Sequence, residues 1–285
     1  MSCTRAPPGA KTLAPRAFAL AALALGVVAV AAGCPHQPPL PNLDGLTDEG
    51  AAARARASGE RRVRLAGTLK ARLPGLEGVV ASADLDVALQ PQAMVSVAVR
   101  SFFEQPMQMF VTDGAQVTVY DATQGQPVFF RGNADAASLA RVLPLPLTPR
   151  EAVAIFLARP PLDGGARLAG VDRAAGTFEL WLEPPDMGPC QVTMRATDDA
   201  VLRWRLHRRD GRPLLEVSYR DLREANGAIV PFAWHVRRLD VTPEQALDFV
   251  ATDVTWNGPA LSAEAFVLEP PPGTELKPLG GAVLR

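Results

Sequence analysis

Few side chains in this 285-residue chain could do covalent or metal chemistry: three cysteines, three histidines and scattered acids. Cys190 could pair with His207 or His235 as a nucleophile and its base. It follows Gly188-Pro189, however, and no local motif accompanies it. Each of the two histidines sits in an alternating stretch, on a face shared with charged residues, which is the pattern of a solvated sheet face. The third, His36, stands in a proline-rich run. Zinc would need several ligands at motif spacing, and the sequence has none. Asp84, Asp86, Asp198 and Asp199 read as turn and surface residues, and no glycine-rich phosphate loop occurs. The expectation is a protein without catalysis, metal or cofactor.

The remaining chemistry is modification at Cys34. Arg5, Lys11 and Arg16 form a basic start, Ala17 to Ala32 is almost wholly apolar, and Ala31-Ala32-Gly33-Cys34 ends the run with small residues before a cysteine. This resembles a bacterial lipobox, in which the leader is cleaved before the cysteine and the thiol is lipidated. The leucine usual three residues before the cysteine is Ala31 here. An ordinary secretory signal with an incidental cysteine is one alternative. A membrane anchor is the other, although an apolar run of about 16 residues is short for a span of about 20.

The chain carries 29 basic and 30 acidic residues; loss of a leader bearing three arginines or lysines and no acid leaves 26 against 30, a net of −4. A mildly acidic chain with no basic block gives no electrostatic reason to expect nucleic acid. With Cys3 in the leader and Cys34 as anchor, only Cys190 remains, so no internal disulfide framework is available. Stability must come from a hydrophobic core, for which about 220 residues suffice.

The organisation expected is a leader over 1–33, then lipidated Cys34, a proline-rich tether (Pro35 to Leu43) and an Ala/Arg-rich N-terminal helix over 34–60. The domain proper follows over 61–270, with a tail over 271–285 that runs over the outside. Val63 to Leu73 alternates apolar and charged residues, as an antiparallel strand with one buried face does. Five further strands follow, from Val79 to Arg131. After a helical interlude the strands return over Ala166 to Val171, Thr177 to Leu182, Gln191 to Thr197, Val201 to His207, Leu214 to Tyr219, Phe232 to Leu239 and Phe249 to Trp256.

The interlude, Asp135 to Pro161, organises the rest. Leu139, Val142 and Leu143 mark a short apolar face, and Pro144 and Pro146 break it. Thr148-Pro149-Arg150-Glu151 restarts a helix with a threonine cap, a first-turn proline and a glutamate three residues after the cap. These helices are too apolar to stand in water and need a concave sheet to lie against. The fold class is α+β, mainly β. An open half-barrel with helices as a plug, a closed barrel and a two-layer sheet all fit the periodicity.

The ordered pieces resemble the LolB and LolA family of lipoprotein receptors and carriers. The strongest match runs from Ser101 to Pro161: an apolar loop Ser101-Phe102-Phe103-Glu104, a strand pair around Thr112-Asp113-Gly114, a helix, the Leu143-Pro144-Leu145-Pro146-Leu147 linker and a second helix. Trp204 to Trp256 resembles the family's closing strands, whereas residues 162–200 add strands where the receptor is shorter. The resemblance implies an open antiparallel half-barrel of about eleven strands, with helices covering a concave face that holds acyl chains. It implies acyl chains of lipoproteins or another lipid as ligand, a membrane reached through the anchor, a periplasmic carrier protein as partner, and a place on the periplasmic face of the outer membrane. A monomer is expected. Leu85, Val87, Val97, Val99, Leu139, Ile155 and Phe156 are the candidate cavity residues, and each of them equally fits ordinary core. Phe102 and Phe103 are a candidate membrane-touching tip, the alternative being a hairpin with one of the pair packed beneath the sheet. A lipid-binding lipoprotein and a structural envelope lipoprotein without ligand remain alternative functions.

Overall fold

Fourteen strands make one continuous open sheet in the computed structural model. It describes residues 42–74, 80–101, 103–123 and 126–279, all within one unit, Leu40–Arg285. The first strand stands in the middle of the sheet. From β1 (Leu65–Pro74) the sheet runs one way through β2 (Val80–Gln90), β3 (Met94–Arg100), β4 (Pro106–Thr112), β5 (Gln116–Asp121) and β6 (Val128–Asn133). The other half is β7 (Gly165–Asp172), β8 (Thr177–Glu183), β9 (Cys190–Arg195), β10 (Val201–His207), β11 (Pro213–Ala225), β12 (Ala228–Arg238) and β13 (Gln245–Trp256). It runs back from the far edge until β13 pairs with β1. All these pairings are antiparallel; β14 (Leu276–Pro278) adds one parallel pairing outside β6.

Alternation produces this sheet. On β2 and β3 the pairs Leu85↔Val99, Val87↔Val97 and Leu89↔Val95 stand opposite one another, with Asp84, Asp86 and Arg100 on the other face. Curvature has local causes. Gly67, at φ 139°, stands beside the register shift between β1 and β13, and a β-carbon there would fall 2.1 Å from the Asp253 carbonyl oxygen. Bulges and strand glycines of this kind bend a sheet where side chains would forbid it.

The topology dictates where the helices go. β7 is one edge of the sheet and β6 lies next to the other, so residues 134–164 must cross a face of the sheet to join them. That crossing contains α2 (Ala136–Leu139) and α3 (Pro149–Phe156), while α1 (Asp48–Glu60) lies earlier in the chain. Core residues from the crossing, from β1–β5 and from β8–β13 form a single cluster, so the core lies between the helices and the sheet.

The structure differs from the sequence reading in four places. The sheet has fourteen strands where the resemblance implied about eleven, three of them (β7–β9) drawn from residues 165–195. The tail expected to run outside supplies β14, whose Leu276 and Lys277 pair with Phe129 and Phe130. The stretches around Leu214–Tyr219 and Phe232–Leu239 join into one long hairpin turned at Asn226-Gly227, both at positive φ (48° and 76°). That pair favours such a turn, but residues 220–224 are mostly exposed and lack alternation. Finally, α1 packs on the domain. Its Ala51 and Ala55 are fully buried, Arg54 Nε donates to Asp199 Oδ1 at 2.7 Å, and Asp48 Oδ1 accepts from Leu168 N at 2.8 Å. An alanine face thin in apolar area still permits close approach, and these polar ties complete the docking.

Candidate functional site

The site begins with how α3 is held. Thr148 Oγ1 accepts from Glu151 N at 3.2 Å, and Glu151 Oε2 accepts from Thr148 N at 2.8 Å. This reciprocal cap satisfies two of the orphan donors of the first turn. Beyond the C-cap, Leu157, the chain turns at Ala158 with φ 50°, and Arg159 N bonds back to Ala154 O at 2.8 Å. The last carbonyls reach the sheet: Tyr219 Oη donates to Ile155 O at 2.8 Å and Trp234 Nε1 to Phe156 O at 3.2 Å. Asp135 caps α2, its Oδ1 accepting from Ser138 N at 2.8 Å.

Beneath these helices lies a wholly apolar space lined by Leu69, Leu85, Val97, Leu139, Phe156 and Phe249, among others. It leaves about 10 Å³, enough for about one water. Phe156 lines it, its ring edge-on to Phe249 at 5.2 Å and tilted against Trp234 at 6.0 Å. On its other side α3 borders an open groove of about 800 Å³, within the size range of small-molecule sites. Ala152 and Phe156 line the inner space, whereas Arg150, Val153 and Ala154 line the groove. α3 is therefore a partition between the two. The rest of the groove comes from Arg56, Gly59 and Glu60 of α1, the Pro91–Ala93 turn, Gly114, residues 159–163, Asp186 and Met187. Arg150 is paired with both Asp163 and Asp186.

Of the seven cavity candidates, the structure brings Leu85, Val87, Val97, Leu139 and Phe156 around the inner space. Ile155 is buried elsewhere in the core, and Val99 is half-buried at its margin. Sequence reasoning missed Leu69, Leu89, Val95, Leu143, Ala152 and Phe249 as lining residues. Strand alternation could have found Leu89 and Val95, since each lies two or four positions from a residue that was chosen, and Leu69 stands on the buried face of the alternating Val63 to Leu73 stretch. Tyr219, Trp234 and the buried Arg62 carried no signal, because their roles depend on what crosses the face opposite them.

Phe103 is 81% exposed at the bend between β3 and β4. Ser101 makes the bend: its Oγ accepts from Phe103 N and Gln105 N, both at 3.3 Å, and its carbonyl accepts from Glu104 N at 2.9 Å. Phe102 lies outside the described residues, as do Cys34 and residues 1–33.

Nothing assembles the side chains that could do chemistry. Cys190 is fully buried, and burial, followed by the charge of Glu151, pushes its thiol well up, away from a thiolate. His235 Nδ1 pairs with Asp248 Oδ1 at 2.7 Å, and His207 Nδ1 meets the Gly211 carbonyl at 3.1 Å; neither hydrogen-bonds Cys190. Asp198 is held by Arg195 in a turn, and Asp199 ties down α1. Among the described residues no group of three or more His, Cys, Asp or Glu could hold a metal ion, and no helix is long and apolar enough to cross a membrane.

An open sheet with a helical crossing over an apolar interior defines a class of half-barrel. Within it, the chain has the fold of the LolA superfamily. A LolA superfamily protein from Nitrosomonas europaea is similar over 78% of this chain and 98% of its own, at 12% identity and a TM-score of 0.57. An outer membrane lipoprotein-sorting protein domain from Vibrio parahaemolyticus is similar over 76% and 97%, at 7% identity and a TM-score of 0.54. A DUF1329 family protein from Desulfovibrio piger is similar over 77% and 97%, at 11% identity and a TM-score of 0.55. No protein-family model and no curated protein matches the sequence.

Proposed function

We propose that this chain is a lipid-anchored protein of the periplasmic face of the outer membrane that binds acyl chains of lipoproteins beneath α3 and helps place them in that membrane. The observation that carries the reading is the position of α3, between a narrow apolar interior and an open groove. A modest outward shift of one short helix joins the two into a space that an acyl chain can enter. The need for such a space is physical. Each buried methylene is worth about 0.8 kcal/mol, so a multiply acylated protein leaves a membrane only when another apolar surface takes its chains.

The fold supports this reading, since one protein that shares it is described as an outer membrane lipoprotein-sorting domain. Cys34 would carry the anchor and residues 35–43 the tether, with a periplasmic carrier as the donor partner. Phe103, presented at the bend between β3 and β4, would touch the bilayer during transfer.

A second reading, a structural envelope lipoprotein without ligand, draws on the near-filled interior. Native mass spectrometry of the purified chain incubated with a triacylated lipopeptide decides between them. Binding of one lipopeptide per chain is the expected result, and absence of any complex at saturating lipopeptide would leave the structural reading standing.

A further inference from the structure

Arg62 is the outstanding energetic anomaly of the molecule. Its side chain is 1% exposed, and its Nε and Nη2 are buried with no hydrogen-bond partner. Only Nη1 is held, by Ser58 Oγ at 2.9 Å and the Ile229 carbonyl at 3.3 Å. No carboxylate forms an ion pair with it among the described residues: Asp199, the nearest acid to affect it, is engaged by Arg54. Burial, opposed by Tyr219 and reinforced by the neighbouring cations Arg61 and Arg159, pulls its pKa down to about 10. A buried guanidinium left half unsatisfied is strongly unfavourable unless something negative completes it. Arg62 does not line the open groove but follows residues that do. Its own N–H donates to the carbonyl of Gly59 at 3.0 Å, and Gly59, Glu60 and Arg159 line that groove. Gly59 and Arg159 pack closely there: a β-carbon on Gly59 would stand 3.2 Å from Arg159 Cγ.

We propose that Arg62 recognises the anionic headgroup, carboxylate or phosphate, of an acyl lipid that enters along the groove between α1 and α3. This rests on the acyl-binding reading and deepens it by naming the ligand's charged end. The headgroup parts the Gly59–Arg159 contact and takes the two free nitrogens of Arg62 in a bidentate pair, the geometry a guanidinium offers to carboxylate and phosphate alike. The acyl chain then runs past α3 into the apolar interior. The planar fork, the absence of a protein carboxylate and the proximity to the groove all favour an external anion over an internal partner.

The test is a titration of the purified full chain with myristate, methyl myristate, myristoyl lysophosphatidate and inorganic phosphate, for wild type, Arg62→Met and Arg62→Lys. Wild type should bind myristate and the lysophosphatidate at least tenfold more tightly than the ester, and inorganic phosphate should neither bind nor compete. Arg62→Met should bind all three lipids as wild type binds the ester, and its melting temperature should be unchanged or raised, since no unsatisfied cation is left behind. Arg62→Lys should keep part of the preference. Equal binding of acid and ester by wild type, or a preference retained in Arg62→Met, overturns the headgroup site while leaving acyl binding intact. Inorganic phosphate that binds Arg62-dependently in place of the lipids overturns it in favour of a free anion. No binding of any lipid overturns both readings. A sharp fall in the melting temperature of Arg62→Met, together with the full wild-type preference for acid over ester in Arg62→Lys, assigns Arg62 to structure alone.

Discussion

The hydroxyl of Tyr219 donates to the carbonyl of Ile155 at 2.8 Å, joining residues 64 positions apart across the interior. Tyr219 stands opposite Trp234 in the β11–β12 register, and Trp234 holds the next carbonyl, that of Phe156. Two neighbouring side chains of the sheet thus bond consecutive carbonyls in the last turn of α3, where a helix end is short of donors, the Ile155 carbonyl also accepting from Ala158 N at 2.9 Å. They act as a latch on the partition. Tyr219→Phe should cost about 1 kcal/mol of stability and increase the association rate of a fluorescent acyl probe, read by stopped flow. An unchanged rate with the expected loss of stability would mean that the latch does not govern access.

Phe103→Glu should leave stability within about 0.5 kcal/mol of wild type, as substitutions on exposed loops do. Lipopeptide binding should persist while its transfer to liposomes slows several-fold. Transfer at the wild-type rate would remove the membrane-touching role from this bend.

Removal of the acceptor thiol by Cys34→Ala should shift the protein from the membrane to the soluble periplasmic fraction and abolish labelling by a palmitate analogue. Equal labelling of wild type and variant would place the lipid elsewhere or nowhere.

On the outer face, Glu216 is flanked by Arg205, whose Nε donates at 3.0 Å, and by Arg237, whose Nη1 donates at 3.3 Å. Burial raises its pKa, but the hydrogen bond and charge of Arg205, with Arg203 and Arg237, bring it below the ordinary 4.5. A depressed carboxylate stabilises the fold fully above its unfolded pKa, and that contribution is lost as pH falls through the folded value. Denaturation of wild type should therefore become easier below about pH 4.5, and Glu216→Gln should flatten that acid limb. The same variant should cost about 1–2 kcal/mol at pH 7, a figure kept modest because the arginines are partly exposed. An acid limb of unchanged steepness would shift the effect to other carboxylates.

The sequence made the strands legible because one face of each is buried: Leu69 stands between Thr68 and Lys70 and Leu85 between Asp84 and Asp86, and alternation survives without tertiary knowledge. It made α3 legible through Thr148-Pro149-Arg150-Glu151, whose cap forms as those residue types demand. The parallel pairing of β14 was hidden, since Leu276–Pro278 is a short proline-flanked run with no period and gains its place only from the edge of β6. The Asn226-Gly227 hairpin was missed because its first arm, residues 220–224, is mostly exposed and carries charges on both faces, so the pattern breaks before the buried Ala228 and Val230 of the return arm. Most of the cavity wall was readable as apolar surface, but not its filling. That Phe156 narrows the space from the helix side, and that α3 also faces a groove, follow from the path of residues 134–164 across the sheet. Arg62 was invisible for the same reason: nothing in Glu60-Arg61-Arg62-Val63 separates the buried arginine from its exposed neighbour.

The central claim is that an acyl chain comes to lie between α3 and strands β2 and β3. Photo-crosslinking with a lipopeptide that carries a diazirine in its acyl chain, followed by peptide mapping, tests it most directly. The account predicts adducts on peptides containing Leu85, Val97, Leu139 or Phe156, reduced by competing unlabelled lipopeptide. Adducts confined to the Phe103 bend or to the outer face of the sheet, with none on those peptides, would contradict it.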